Sequence, residues 1–334
     1  MEYSFPRYLL AKQTVDDRAL NKDVLAALKS RLSISRQPSV PKSALSVIEV
    51  GAGIGTMLTR LLRWNLLPPN VEYTLVDEMP ENIAFARQWL PQWARENGYQ
   101  VETLPGENIR LSDSRQPSVP KSVLVHFTLS DVFDYIRFSA SQSVAPSADL
   151  LIAHAFLDLL PMPESLPKLF SLLKPGGLAW LTINFDGVTT LEPPFHSPDS
   201  PADDSRFSAS RQPSVPESAD TLIERLYHQT MDTRPTGGDS RSGRHLFKHL
   251  EQAGAGILAA GASDWVVYPV QGQYPADEAY FLYFILHFFE TSLANHPELN
   301  PDLFREWLKQ RRAQIERAEL VYIAHQMDFL ISTR

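Results

Sequence analysis

The chain has 334 residues, 31 Lys and Arg against 39 Asp and Glu for a net charge of -8, 43% hydrophobic residues and no cysteine. The apolar fraction excludes a disordered or collagen-like chain, and the missing thiol excludes cysteine-ligated metals, iron–sulfur clusters, disulfides and cysteine nucleophiles. The acidic balance argues against a nucleic-acid partner, and the length suggests about two domains or one large domain with insertions.

Proline is abundant, at 26 residues, and part of the excess is one phrase. Ser35-Arg-Gln-Pro-Ser-Val-Pro-Lys-Ser43 recurs at Ser114 to Ser122 and, with Glu for Lys, at Ser210 to Ser218; a degenerate copy lies at Ser141 to Ser147. The uneven spacing excludes a solenoid. Two prolines within four residues read as surface turns or polyproline II inserted between elements of an older fold. Arg36 three before Ser39 and Pro41 two after it also resemble a phosphoserine-dependent adaptor site. No run approaches the roughly 18 apolar residues of a membrane span, and the start lacks a basic stretch followed by an apolar one. The expectation is a soluble cytoplasmic protein.

With the repeats set aside, the elements fall into a rhythm. Val15 to Leu32 has the spacing of a lead-in helix, and Leu45 to Val50 reads as a buried strand stopped by Gly51. Thr56 to Trp64 is helical, Val71 to Val76 is a second strand ending at Asp77, and Pro80 to Glu96 is a helix that Pro91 should kink or split. Tyr99 to Leu111 offers a hairpin partner for a third strand, Leu124 to Leu129. Asp149 to Ala153 is a fourth strand, Glu164 to Leu173 a helix stopped by Lys174-Pro-Gly-Gly177, and Leu178 to Asn184 a fifth strand. Alternating strands and helices imply a doubly wound, mostly parallel sheet. Beyond it, Asp186 to Ala219 reads as a long loop. Thr221 to Met231, Ser242 to Ala253, Ala276 to Leu293 and Asp302 to Arg317 read as helices, Ile257 to Pro269 as strand-like and Leu320 to Ile331 as a closing strand.

The stretch Val47-Ile-Glu-Val-Gly-Ala-Gly-Ile-Gly-Thr56 carries the most chemistry. Glycines 51, 53 and 55 allow a tight turn and close approach of a ligand, next to a helix N-terminus that favours anions or polar groups. A dinucleotide site would require glycine at position 56, where this chain has Thr56. Glu49-x-Gly51-x-Gly53-x-Gly55 instead resembles the first motif of the class I S-adenosylmethionine-dependent methyltransferases. Asp77 at the end of the second strand, Ser130-Asp131-Val132-Phe133 after the third, and the Lys-Pro-Gly-Gly turn before the fifth extend the resemblance over Val47 to Asn184.

That resemblance implies a seven-stranded Rossmann-like sheet with S-adenosylmethionine as cofactor. Gly51, Ala52, Gly53 and Gly55 would hold the methionine tail and Asp77 the ribose hydroxyls. Asp131 and Val132 would hold the adenine, with Met79 on its face, while Glu49 orients the turn and the cofactor's amino group. His154 is also a cofactor-contact candidate. Residues 1–44 are then a helical lead-in with an inserted loop and 45–185 the cofactor core. Residues 186–318 form cap helices with a late strand, and 319–334 the closing strand.

In an open sheet, ligands bind beyond the carboxyl ends of the strands, which points to His154 and Asp158 after the fourth strand and Asn184 and Asp186 after the fifth. His154 suits general-base work; a strand-end histidine bonded to backbone is the alternative. The sequence Ala153-His-Ala-Phe-Leu-Asp158 lacks the Asn/Asp-Pro-Pro-Tyr motif of base- and amide-directed relatives, and no His and carboxylate cluster has metal-ligand spacing. The apolar helix Glu278 to Phe289 reads as packing, as a lid over an apolar pocket, or as a membrane-surface element. Tyr227, His228, Arg244, Tyr268 and Tyr274, with Asn184, are candidate pocket residues. The expected acceptor is a small, partly apolar metabolite, methylated on O, N or C. A cofactor-binding regulatory or assembly protein is the rival, and an NAD(P)-dependent oxidoreductase a third reading.

Overall fold

In the strand Leu45–Val50, Val47 faces one helical layer while Ile48 and Val50 face the other, the period-two placement of a strand covered on both sides. The computed structural model describes residues 2–34, 44–113, 121–141, 148–196 and 217–333. The Ser-Arg-Gln-Pro repeats fall almost wholly outside them.

In chain order the strands are β1 (Leu45–Val50), β2 (Asn70–Asp77), β3 (Tyr99–Thr103), β4 (Ile109–Asp113), β5 (Lys121–Leu129), β6 (Ala148–His154), β7 (Leu173–Glu192), β8 (Gly256–Ala262), β9 (Trp265–Val267) and β10 (Val321–Ser332). They form one sheet in the order β3-β4-β5-β2-β1-β6-β7-β10-β8, with β9 beside β10. The five central strands are parallel, and only β4 and β10 run against the rest. The expected seven strands become ten: β3 and β4 add a hairpin edge beyond β5, and β9 adds a three-residue strip. Chain order reverses between β1 and β6, which opens the crevice where a doubly wound sheet takes its ligand.

Helices cover both faces. On the first lie α1 (Phe5–Ala11), α2 (Gln13–Ala19), α3 (Lys22–Ile34), α4 (Thr56–Arg63) and α5 (Pro80–Glu96); on the second lie α6 (Val132–Ser141), α7 (Ser165–Phe170) and α9 (Ser242–Gln252). The remaining helices α8 (Ala219–Asp232), α10 (Glu278–Ser292) and α11 (Pro301–Glu316) join α1 on the first face. Among the described residues, no helix is long and apolar enough to cross a membrane.

Several elements depart from the expectation for definable reasons. The lead-in helix breaks at Leu20-Asn21, because the Asn21 side chain accepts from the Asp23 and Val24 amides and caps α3 as a new helix. Pro91 lies inside an unbroken α5, where the buried stripe of Ile83, Ala86, Leu90 and Ala94 holds the helix across the missing donor. The loop expected from Asp186 begins later. Thr189 and Thr190 pair with Ala324 and Ile323, carrying β7 on to Glu192. The strand-like stretch 257–269 is two strands, β8 and β9. The Lys-Pro-Gly-Gly turn interrupts the β6–β7 pairing between Leu173 and Leu178.

α10 is the most apolar helix and joins several elements through aromatic faces. The Phe281 ring lies 5.8 Å from Tyr8 of α1, 5.3 Å from Trp265 of β9 and 6.1 Å from Tyr322 of β10. A Phe281→Ala variant is expected to lose about 3–5 kcal/mol in urea unfolding; a loss under about 1 kcal/mol would mean that this aromatic junction does not hold the layers together.

Candidate functional site

Gly51, Gly53 and Gly55 all adopt positive φ, of 61°, 56° and 82°. This left-handed conformation favours glycine. A side chain at Gly55 would also strike Leu90 at 2.9 Å, so that glycine serves the seating of α5 against the turn. The turn is fastened from β2. Asp77 Oδ2 accepts from the Gly53 amide at 2.7 Å, while its Oδ1 accepts from the Met79 amide and the Asn82 side chain. Ala52, within the turn, donates its amide to the Val76 carbonyl. One carboxylate thus fixes the glycine turn to the start of α5.

Two strands along, Asp131 Oδ1 caps α6 by accepting from the Phe133 and Asp134 amides, which leaves Oδ2 without a described partner. Val132 is buried beside it. Leu129, paired with Asp77 in the sheet, is 52% exposed and Met79 is 39% exposed, so two apolar side chains are left uncovered beside Asp77 and Asp131. Among the described residues Asn82 Oδ1 is buried with no partner, a further acceptor at the same strand end.

Glu49 lies under the turn and does not bond to it. Tyr73 donates to its Oε2 at 2.6 Å, and burial pushes the Glu49 carboxyl up to about 8 against the lowering effect of that bond. The front of the turn is covered by the chain itself. A Cβ on Gly51 would lie 2.3 Å from the Phe156 ring, and one on Gly53 2.8 Å from a Leu9 methyl. Leu9 belongs to α1 and Phe156 follows β6. A ligand tail on Gly51 and Gly53 therefore has to displace two side chains.

The structure corrects the role of His154. Its Nδ1 contacts Thr182 Oγ1 at 2.8 Å and its Nε2 contacts Asp16 Oδ2 at 2.9 Å, with the ring buried. Both nitrogens are engaged within the protein, so neither is free to take a substrate proton or to touch a cofactor. Burial lowers its pKa to about 4 despite Asp16, and the ring is neutral at pH 7. Asp16 is fully buried and also accepts from Arg60 Nη2 at 3.0 Å and Trp265 Nε1 at 2.9 Å, with Lys12 Nζ at 3.6 Å. Burial alone would raise the Asp16 carboxyl; Lys12, His154 and Arg60 outweigh it and hold it well below the usual range. Sequence reasoning missed this cluster. Its available signal was Arg60, a charge among Met57, Leu58, Leu61 and Leu62.

Asp158 stands two residues beyond Phe156. Its Oδ1 is enclosed without a partner, and burial raises the carboxyl. The expected pocket residues do not converge. Asn184 donates to the Met327 carbonyl, and Tyr274 donates to the Leu320 carbonyl. Arg244 is spent on Asp186, through its backbone amide and its side chain, and Tyr268 is 48% exposed. Tyr227 stacks on Phe289 at 4.1 Å, whereas His228 bonds Thr189 and lines a separate cleft of about 480 Å³ with Glu224 and Arg241. That cleft lies along β7, five to seven residues past Thr182, roughly 17–23 Å from the strand ends at the glycine turn.

No protein-family model and no curated protein matches the chain. Solved structures do resemble it. A Bacillus halodurans protein provisionally described as a methyltransferase is 12% identical over 91% of this chain and 98% of its own, with TM-score 0.44. A cyclopropane synthase from Mycobacterium tuberculosis is 9% identical over 95% of this chain and 88% of its own, with TM-score 0.40. A phosphoethanolamine N-methyltransferase from Haemonchus contortus, in complex with S-adenosylmethionine, is 13% identical over 100% of this chain, with TM-score 0.42; this chain spans 60% of its length.

Two outcomes test the buried charges. Arg60→Met leaves Asp16 short of its nearest cation and is expected to cost about 3–5 kcal/mol in chemical denaturation; a neutral result would mean the cluster is dispensable. Glu49 binds its proton more tightly folded than unfolded, so its contribution to stability is present below pH 4.5 and is lost as pH rises towards about 8. Glu49→Gln should flatten that part of the stability profile, and an unchanged slope between pH 5 and 8 would contradict the assignment.

Proposed function

We propose that this protein transfers a methyl group from S-adenosylmethionine to a small, partly apolar metabolite. The observation that carries the reading is the Asp77 carboxylate bonded to the Gly53 amide, at the point where the sheet order reverses. Open Asp131 and exposed Met79 and Leu129 stand beside it. Asp77 would meet the ribose and Asp131 Oδ2 the adenine amino group. Met79 and Val132 would flank the ring, and Gly51, Ala52 and Gly53 would receive the amino-acid tail once Leu9 and Phe156 move aside. When bound, the sulfonium supplies an electrophilic methyl carbon, so neither thiolate nor metal is required of the protein.

The chain's own residues then have three tasks: to align the acceptor, to exclude water and to accept a proton. Once displaced from the glycines, Leu9 and Phe156 would close over the bound cofactor and exclude water. Asp158 is the proton acceptor in this reading. Residues 45–185 are the cofactor core, with β8 and β10 completing the sheet. α8, α10 and α11, from 186–318, are the cap, and the protein acts in the cytoplasm. A non-catalytic S-adenosylmethionine-binding protein is the second reading, favoured by the side chains of Leu9 and Phe156 lying on the turn.

Titration calorimetry with S-adenosylmethionine, NAD and NADP discriminates among these. Binding of S-adenosylmethionine alone is expected, with Asp77→Ala weakening it by about tenfold or more through a lost charge-assisted hydrogen bond. Binding of NAD or NADP alone would overturn the reading. Persistent absence of labelled product from a metabolite extract would leave the binding protein.

A further inference from the structure

The cleft along the far end of β7 stands apart from the glycine turn and has a charge pattern of its own. Its floor is β7 from Gly187 to Thr189, one wall is a face of α8, and Ser240 and Arg241 at the start of α9 close it. Glu224, His228 and Asp232 follow one another at four-residue steps on α8, which puts them in a row along that wall. Two contacts fix the row to the other walls. His228 Nε2 meets Thr189 Oγ1 at 3.0 Å in the middle, and Asp232 accepts from the Ser240 amide at 2.7 Å and its hydroxyl at 3.1 Å. Arg241, next to Ser240, therefore stands at the Asp232 end of the row, and Glu224 at the opposite end. Gly187 has a positive φ of 71°, and a Cβ there would lie 3.1 Å from Arg241 Cγ and 3.2 Å from the Ser240 carbonyl. The glycine lets the stem of Arg241 rest directly on the strand.

Of the charged side chains facing this space, Arg225 is bonded to Glu217, and Asp232 is taken by Ser240. Glu224 and Arg241 are left, with no side-chain partner among the described residues. Arg311, the cation that acts on Glu224, is itself bound by Asp220, Gln314 and the Pro193 carbonyl. Burial, with Asp220 and Glu192 nearby, pushes the half-buried Glu224 carboxyl up to about 7, as for an acid short of a cation. Burial lowers the pKa of His228, so the ring between the two ends is neutral at pH 7. The cleft thus offers a carboxylate acceptor at one end and guanidinium donors at the other, about two helical turns or ~12 Å apart. That is too far for the two to pair with each other. A diamine would leave Arg241 facing a cation, and a dicarboxylate would leave Glu224 facing an anion. One hydrogen bond of about 3 Å at each end leaves roughly 6 Å between the ligand's own charged groups, and two extended residues span about 7 Å.

We propose that this cleft is a second ligand site that takes a zwitterion of dipeptide length, its ammonium group donating to Glu224 and its carboxylate accepting from Arg241. The inference goes beyond the methyl-transfer reading and does not depend on it. At roughly 17–23 Å from the glycine turn, a ligand about 7 Å long does not reach a methyl group held there.

The test is calorimetry on the full chain with alanylalanine as probe. Two charge-assisted contacts predict a Kd of about 1 mM or below. N-acetylalanylalanine lacks the ammonium group, alanylalanine amide lacks the carboxylate, and each should bind about tenfold more weakly or worse. Glu224→Gln should weaken alanylalanine by a similar factor and abolish the preference over the acetylated peptide, and Arg241→Met should do the same for the amide. If either variant does not fold, the blocked peptides on the wild type decide. No binding of alanylalanine up to about 10 mM, equal binding of the blocked peptides, or equal binding of free alanine, whose charged groups are adjacent, overturns the inference. Failure of the wild type to bind S-adenosylmethionine overturns the functional reading and leaves this inference standing.

Discussion

The arrangement of the site depends on one carboxylate with no access to water. An isolated ionised acid in such a place costs several kcal/mol, and it persists only where cations and hydrogen-bond donors surround it. Asp16 has these from four directions: Arg60 from the helix behind the glycine turn, His154 from the end of β6, Trp265 from β9, and Lys12 from the start of its own helix. A single charge therefore ties the N-terminal helices to the first strand–helix unit, to the fourth of the central strands and to the far edge of the sheet. Because Arg60 lies one turn beyond Thr56, whose hydroxyl it also contacts, the tie sits close behind the glycine turn.

This explains why a segment of the chain outside the sheet belongs to the site. α1 follows from the position of Asp16, and with it come Tyr8 against α10 and Leu9 over Gly53. Further out, Arg18 and Thr14 bond to buried Glu278 at the start of α10, and Arg7 pairs with Asp277. The exposed Arg7 pair contributes little by itself; the buried Glu278 contacts and the Asp16 cluster set where the helices rest. Backbone conformation just after β6 and within β7 is also unusual. Ala155 and Ile183 have positive φ of 51° and 58°, and the Ile183 amide is held by buried Asp328. For a β-branched residue this conformation is strained, and strain of this kind concentrates where a site imposes geometry.

Much of this was legible in the amino-acid sequence because it is local. The order of strands and helices from Leu45 to Asn184 and the glycine turn follow from periodicity and turn chemistry over a few residues, whereas Asp77 and Asp131 were singled out by the family resemblance. The capping of α3 by Asn21 was local too, but Leu20, Val24 and Leu28 continue the apolar spacing and conceal the break. The network around Asp16 was not legible, since Asp16, Arg60, His154 and Trp265 are separated by 44 to 249 positions and no local pattern joins them. For the same reason His154 read as an available base. Its position at a strand end was correct, and its two partners came from other parts of the chain.

The most direct test of the central claim is amide hydrogen exchange on the Asp16→Asn variant beside the wild type. If the Asp16 cluster seats the N-terminal helices on the glycine turn, residues 5–19 should exchange about tenfold faster or more in the variant, with protection of β1, β2 and β6 unchanged. Equal protection of residues 5–19 in the two proteins would contradict it.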